Sequence, residues 1–242
     1  MRELIVSLDA IAALIGQASG PAPAGASGFD LGAVTTLAEL AGADAVRIGL
    51  REELRPIGEA DVALLRRVAR GLELRIGLAH GLLKPALEAR PDRAILHGDA
   101  WERSGASQPL DLRTQGAELQ TFLRTLDDAG IESVLVVEPE IEAVKAAHGL
   151  GARTIEIYTG ATVDLPGAER DAALERIGDA ARLARKLRLE VSLGGGLDAR
   201  RASALLEAAP AAVRVCVGRA FVARSLLVGV DRSVRDLRAH LA

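Results

Sequence analysis

Two glycine-bearing stretches near the C-terminus carry the most specific chemistry in this chain. One is Gly194-Gly195-Gly196; the other is Gly218-Arg219, within Val217-Gly218-Arg219-Ala220-Phe221-Val222. A phosphate presents several acceptor oxygens, and backbone N–H groups reach it closely where no Cβ intervenes. Arg219 adds a guanidinium that stays charged, which suits holding an anion better than moving protons. The residues from Arg219 to Leu226 read as a short helix whose N-terminal end would face the same anion. A phosphorylated small molecule is therefore the expected partner.

Polar residues also end the other apolar runs: Asp9, Arg51-Glu52, His80, His97, Glu138 and Tyr158-Thr159-Gly160. Glu156 lies between Ile155 and Ile157. In a strand, alternation sends it to the face opposite its neighbours, into an interior where a carboxylate needs a partner. Arg51 is the expected partner, across the mouth of the structure. Glu156, His80 and His97 are the candidates for proton transfer, the two imidazoles because an ordinary histidine titrates near neutral pH. Asp9 or Glu138 could join those histidines around a metal, but no helical His spacing or Cys partner supports one, so neither metal nor cofactor is expected. Cys216 reads as a small core residue. Lys84, Lys145 and Lys186 fall in helical stretches, which disfavours Schiff-base capture of an aldehyde.

The elements that would position these groups form a repeating pattern. Eight short apolar runs occur: Leu4–Leu8, Ala45–Leu50, Leu74–Ala79, Ala94–Leu96, Ser133–Val137, Thr154–Ile157, Leu189–Leu193 and Val213–Val217. Continuous apolar runs of this length are what strands buried on both faces of a parallel sheet look like. Helical periodicity fills the intervals, as in Leu174, Ile177, Ala181, Ala184 and Leu187. Alternating strands and helices with right-handed crossovers, eight times over 242 residues, predict an α/β fold: a (β/α)8 TIM barrel, one domain over residues 1–242. Loops following the strands open on the active face of such a barrel. Two long ones, Gly16–Gly28 and Asp99–Pro109, are lid candidates.

Composition excludes several partners. The net charge of −3 and interleaved Arg and Glu give no footprint for nucleic acid. No uncharged apolar run is long enough to span a bilayer, so no membrane partner is expected. A single cysteine rules out an intramolecular disulfide. Strand-like sequence from Glu3 onward leaves no space for a signal peptide, and a cytoplasmic location is expected.

The chain resembles the pyridoxine 5′-phosphate synthase family. The resemblance rests on Val6-Ser7-Leu8-Asp9-Ala10-Ile11-Ala12, Ala41-Gly42-Ala43-Asp44 leading to Leu50-Arg51-Glu52, Gly151 through Gly160, Gly194-Gly195-Gly196-Leu197 and Val217-Gly218-Arg219-Ala220. These stretches are collinear from first strand to last. The resemblance implies a (β/α)8 barrel with added helices, a homo-oligomer (dimer or octamer), and a part in vitamin B6 biosynthesis. The family's condensation joins 3-amino-2-oxopropyl phosphate to 1-deoxyxylulose 5-phosphate, a transferase-type ring closure that needs repeated proton transfers.

This chain departs from the family's pattern at its histidines. The first-strand Asn-x-Asp-His is Ser7-Leu8-Asp9-Ala10, the second-strand His-Leu-Arg-Glu is Gly49-Leu50-Arg51-Glu52, and a further loop histidine is Pro56. The third-strand glutamate falls on or near Gly77, and Glu-Ile-His-Thr-Gly becomes Glu156-Ile157-Tyr158-Thr159-Gly160. Gly-His-Gly becomes Gly194-Gly195-Gly196, and Gly-His becomes Gly218-Arg219. Losing several general acid–base groups, each contributing about 10²–10⁴-fold, implies altered chemistry. The resemblance therefore implies Ser7, Asp9, Arg51, Tyr158 and Thr159 on the substrate, and Gly194, Gly195, Gly196, Gly218 and Arg219 on its phosphate. Three functions are compatible with this. The first is an enzyme with changed chemistry on phosphorylated carbonyl or amine compounds. The others are a non-catalytic pyridoxine or pyridoxal phosphate-binding protein and a structural subunit in a mixed oligomer.

Overall fold

The computed structural model describes residues 2–18, 30–51, 57–98, 108–162 and 165–241. Its eight strands are β1 (Glu3–Ser7), β2 (Ala45–Gly49), β3 (Leu72–Ile76), β4 (Arg93–Leu96), β5 (Glu132–Val137), β6 (Thr154–Tyr158), β7 (Glu190–Gly194) and β8 (Arg214–Val217). They pair in sequence order, every pair parallel, and β8 returns to β1, closing the barrel. The helices described are α1 (Asp9–Ala18), α2 (Leu31–Leu40), α3 (Glu59–Val68), α4 (His80–Ala89), α5 (Gly116–Asp128), α6 (Ile141–Gly149), α7 (Gly167–Lys186), α8 (Ala199–Ala208), α9 (Arg219–Val228) and α10 (Val230–Leu241). The expected fold class is the observed one.

Most strand ends lie within one residue of expectation, and the largest shift is at the third strand. The third strand runs Leu72–Ile76 rather than from Leu74, because Glu73 and Arg75 interrupt its apolar pattern while still pointing into the barrel. The first expected loop, Gly16–Gly28, begins inside α1, which continues to Ala18; residues 19–28 lie outside the described residues, as do Glu52, Pro56 and residues 99–107. Among the described residues, no helix is long and apolar enough to cross a membrane.

The main core lies between strands and helices. Outward-facing strand residues such as Leu4, Ile48, Leu74, Leu135, Ile155, Ile157 and Leu193 meet helix residues including Leu65, Phe122, Leu126, Ile177 and Phe221. With only three phenylalanines in the chain, aliphatic side chains must fill this layer. Small residues bring helices close: a Cβ on Gly178 of α7 would lie 2.8 Å from the Ala208 carbonyl of α8. Asp30 caps α2 by accepting from Gly32 N at 2.7 Å, and Asp198 caps α8 by accepting from Arg201 N at 2.8 Å.

The barrel interior is packed differently. Ile5, Ala45 and Cys216 make one small apolar group, and Ile95, Val134 and Val136 make another beside Tyr158. Between them sits an ion cluster. Arg47 donates through Nε to Glu73 at 2.7 Å and through both terminal nitrogens to Glu156 at 3.0 and 2.6 Å. All three residues are essentially inaccessible to solvent. Burial opposes the charge on Arg47, yet the facing carboxylates hold its pKa well above the ordinary arginine value. Burial would likewise raise the Glu73 carboxyl, but Arg47 and Arg93 more than offset this and hold it below its ordinary value. The cluster continues to the barrel floor, where Arg93 reaches Glu73 at 2.7 Å and Glu3 at 3.0 Å. Arg214 there bridges Glu3, Glu132 and Glu190 at 3.1, 3.2 and 2.8 Å.

An ion cluster of this kind is sensitive to losing one member, because the charge left behind has neither water nor partner. Replacing Arg47 by Met is expected to destabilise the protein by about 3–5 kcal/mol in urea denaturation. A loss below about 1 kcal/mol, the range of exposed ion pairs, would show that the cluster does not hold the barrel.

Candidate active site

The C-terminal strand ends form a mouth whose polar residues come from every side of the barrel. Asp9, the first residue of α1, is the hub on the β1–β3 side. Its Oδ1 accepts from the Gly49 backbone N–H at 2.6 Å, and its Oδ2 accepts from the Ser7 hydroxyl and from Arg75 Nη2, both at 2.7 Å. Ser7 and Asp9 are thus brought together, on an anchor, Arg75, that is not among the expected site residues. Arg51 lies two residues beyond the end of β2 and is partly buried.

Glu156 points into the barrel, as alternation requires. The expected pairing with Arg51 is corrected: both carboxylate oxygens are engaged by Arg47, one layer deeper. The reason lies in register. Ser7 pairs with Arg47 in the β1–β2 ladder, placing that guanidinium at mid-barrel height. Gly194 belongs to the same arrangement, because a Cβ there would run into the Glu156 carboxylate.

The two candidate histidines do not meet. His80 opens α4 with its side chain 76 % exposed, its Nε2 3.9 Å from Glu118, stacked on Phe122 with ring centroids 5.8 Å apart. It belongs to the outer helical layer. His97 follows β4 and is buried. Its Nδ1 lies 2.7 Å from the Gly98 carbonyl oxygen, which can only accept, so Nδ1 carries the proton. The expectation that His97 titrates near neutral pH is also corrected: burial, followed by the charge of Arg75, pushes it down to about 4. Cys216 is buried as expected, its thiol pushed up to about 12 by burial. Among the described residues no cluster of His, Cys, Asp and Glu could hold a metal ion.

On the opposite side, the ends of β7 and β8 build a different surface. Gly195 and Gly196 both have positive φ, +99° and +66°, a conformation glycine adopts without strain. Thr159, fully buried, fixes this turn: its hydroxyl lies 3.0 Å from the Gly194 carbonyl oxygen and 2.6 Å from that of Gly195. The Tyr158 ring lies against the turn, and a Cβ on Gly195 would come within 2.7 Å of it. Gly218 provides no side-chain cap for α9, so that helix presents its first turn of N–H groups uncapped, with Arg219 exposed at its first position. Gly195, Gly196, Gly218 and Arg219 thus gather where the last two strands end. The arrangement offers backbone donors and one guanidinium to an anion.

Comparison with known proteins agrees with this architecture. The family described as "Pyridoxal phosphate biosynthesis protein PdxJ" matches residues 4–242. A protein named pyridoxine 5′-phosphate synthase from Thioalkalivibrio sulfidiphilus is 35% identical over 238 residues, covering 98% of this chain and 94% of its own. One of the same name from Desulfatibacillum aliphaticivorans is 32% identical, covering 99% and 98%. Among solved structures, the thiamine phosphate pyrophosphorylase of Pyrococcus furiosus superposes with a TM-score of 0.58 at 14% identity, covering 99% of this chain and 95% of that one. A 4-hydroxy-2-oxoglutarate aldolase structure gives 0.60 at 20% identity, covering 89% and 90%. These structural likenesses concern the fold alone.

The lowered pKa of His97 has a measurable consequence for stability. Above pH 6.5 the imidazole is neutral in both folded and unfolded chains. Between pH 6.5 and about 4 only the unfolded chain takes up the proton, so stability is lost as pH falls. A shift of this size corresponds to about 3 kcal/mol. Urea denaturation at pH 7.5 and 4.5 is expected to show a loss about 2–3 kcal/mol greater in the wild type than in His97→Gln, which has no imidazole to protonate. Equal losses would show that His97 is not held neutral.

Proposed function

This chain belongs to the pyridoxal phosphate biosynthesis (PdxJ) family, and from that premise we propose that it binds a phosphorylated small molecule at the ends of β7 and β8. We read it as an enzyme with altered chemistry on phosphorylated carbonyl or amine compounds. The observation that carries this reading is the pairing of two independent donor sets at one place. The turn at Gly195 and Gly196 has a backbone only glycine adopts freely, and the uncapped start of α9 carries Arg219. Gly195, Gly196, Gly218 and Arg219 take the phosphate in this reading. Ser7, Asp9, Arg51 and Tyr158 orient the polar groups of the remainder.

A second reading, binding without turnover, draws support from the same mouth. Two of the three candidates for proton transfer are held away from that task, Glu156 by Arg47 and His97 by its low pKa; the third, His80, faces outward. Turnover separates the two readings.

Calorimetric titration with pyridoxine 5′-phosphate, 1-deoxyxylulose 5-phosphate and inorganic phosphate, with product analysis of the substrate mixture, tests both. Removing the phosphate from pyridoxine 5′-phosphate is expected to weaken binding on the order of 100-fold, as loss of one or two charge-assisted hydrogen bonds would. Gly218→Val is expected to abolish phosphate-ester binding while the barrel stays folded. Unchanged affinity in that variant would place the ligand elsewhere.

A further inference from the structure

Glu138 is the first residue beyond β5, and Tyr158 closes β6. The two strands pair with Val137 opposite Ile157, so Glu138 and Tyr158 stand one step further along the same ladder. Their backbones there are about 4.8 Å apart. Val134 and Val136 face the barrel interior beside Tyr158, and alternation places Glu138 on that same inner face, at the rim. Glu138 is exposed to the mouth, in contrast to the enclosed Glu156. The Tyr158 ring lies with one edge against Gly195 of the β7 turn and with its hydroxyl against Gly160, which fixes the phenol between the two glycines. A carboxylate and a phenol thus converge next to the donors that would hold a phosphate.

We propose that Glu138 is the general base of this mouth and Tyr158 the donor for the oxyanion it generates, acting on a phosphorylated ketone. The proposal rests on the phosphate reading given above. The Glu138 carboxylate takes a proton from the carbon beside the carbonyl. The electron pair of that C–H bond becomes the C=C bond of an enolate, and the carbonyl π pair moves to oxygen, where the Tyr158 O–H donates to it. Return of the proton from Glu138 to the same carbon restores the ketone, so the step needs no co-reactant.

The surroundings fit these roles. Partial burial and the nearby Glu140 raise the Glu138 carboxyl above its ordinary value, with Arg176 opposing, which makes its carboxylate a stronger base. Burial and Glu138 raise the Tyr158 phenol, with Arg219 and a hydrogen bond from Gln108 opposing, so the phenol keeps the proton it must donate. Neither histidine competes, since His80 stands outside and His97 is a weak base.

Dihydroxyacetone phosphate in D₂O is the probe, followed by proton NMR, with calorimetry for its affinity. Wild type is expected to exchange the hydrogens beside the carbonyl for deuterium. Glu138→Gln should lower that rate by about 10²–10⁴-fold with affinity retained. Tyr158→Phe, which keeps the ring, should lower it by about 10²–10³-fold. Binding without exchange, or exchange that persists in Glu138→Gln, overturns the pair and leaves the phosphate reading intact. Absence of binding overturns the phosphate reading. Carbon-13 titration of the Glu138 carboxyl and Tyr158 phenol decides the pair in that case. A raised Glu138 whose ionisation moves the Tyr158 resonance supports it, and an ordinary Glu138 with an unmoved Tyr158 overturns it.

Discussion

Inside the barrel, Arg47 places three nitrogens on two carboxylates that solvent does not reach. Such a cluster is stable only while every charge is answered, and its geometry therefore propagates. Downward, Glu73 is shared with Arg93, which ties in Glu3 and, through Arg214, the other floor carboxylates. Upward, the space taken by Glu156 requires glycine at 194, so the tight turn that follows β7 begins where the ion cluster ends. The glycine run at the mouth thus answers two demands at once. Gly194 accommodates the interior, while Gly195 and Gly196 adopt the positive φ that the turn requires.

The same division separates two kinds of carboxylate in the barrel. Glu156 lies one layer below the rim and is occupied by Arg47. Glu138 stands at the rim, exposed, beside a phenol that is itself positioned by two glycines. A residue can exchange protons with a ligand only where the ligand can reach it. Height in the barrel, more than residue type, distinguishes a structural carboxylate from one available for chemistry. Glu138 at the rim is accordingly the carboxylate proposed for acid–base work, and Glu156 the structural one.

Much of this architecture is legible in the amino-acid sequence. Strands enclosed on both faces announce themselves as apolar runs, and all eight lie close to their expected positions. The inward orientation of Glu156 follows from its two isoleucine neighbours. Arg47 between Val46 and Ile48, Glu73 between Leu72 and Leu74, and Arg75 between Leu74 and Ile76 carry the same signal. Applied to all of them, alternation points to the ion cluster and to the anchor of Asp9. Height is what local pattern does not encode. Whether Glu156 meets Arg47 or Arg51 depends on register between strands, which local pattern leaves open. The depressed His97 pKa is hidden for a similar reason, since burial and the approach of Arg75 are products of the closed barrel.

A crystal structure of the protein with pyridoxine 5′-phosphate bound would test the phosphate site most directly. The phosphate is expected on the backbone N–H groups of Gly195 and Gly196 and at the start of α9, with Arg219 against it. The remainder of the ligand is expected to face Tyr158 and Glu138. A phosphate seated on any other part of the barrel, with the β7 and β8 ends left to solvent, would contradict this assignment.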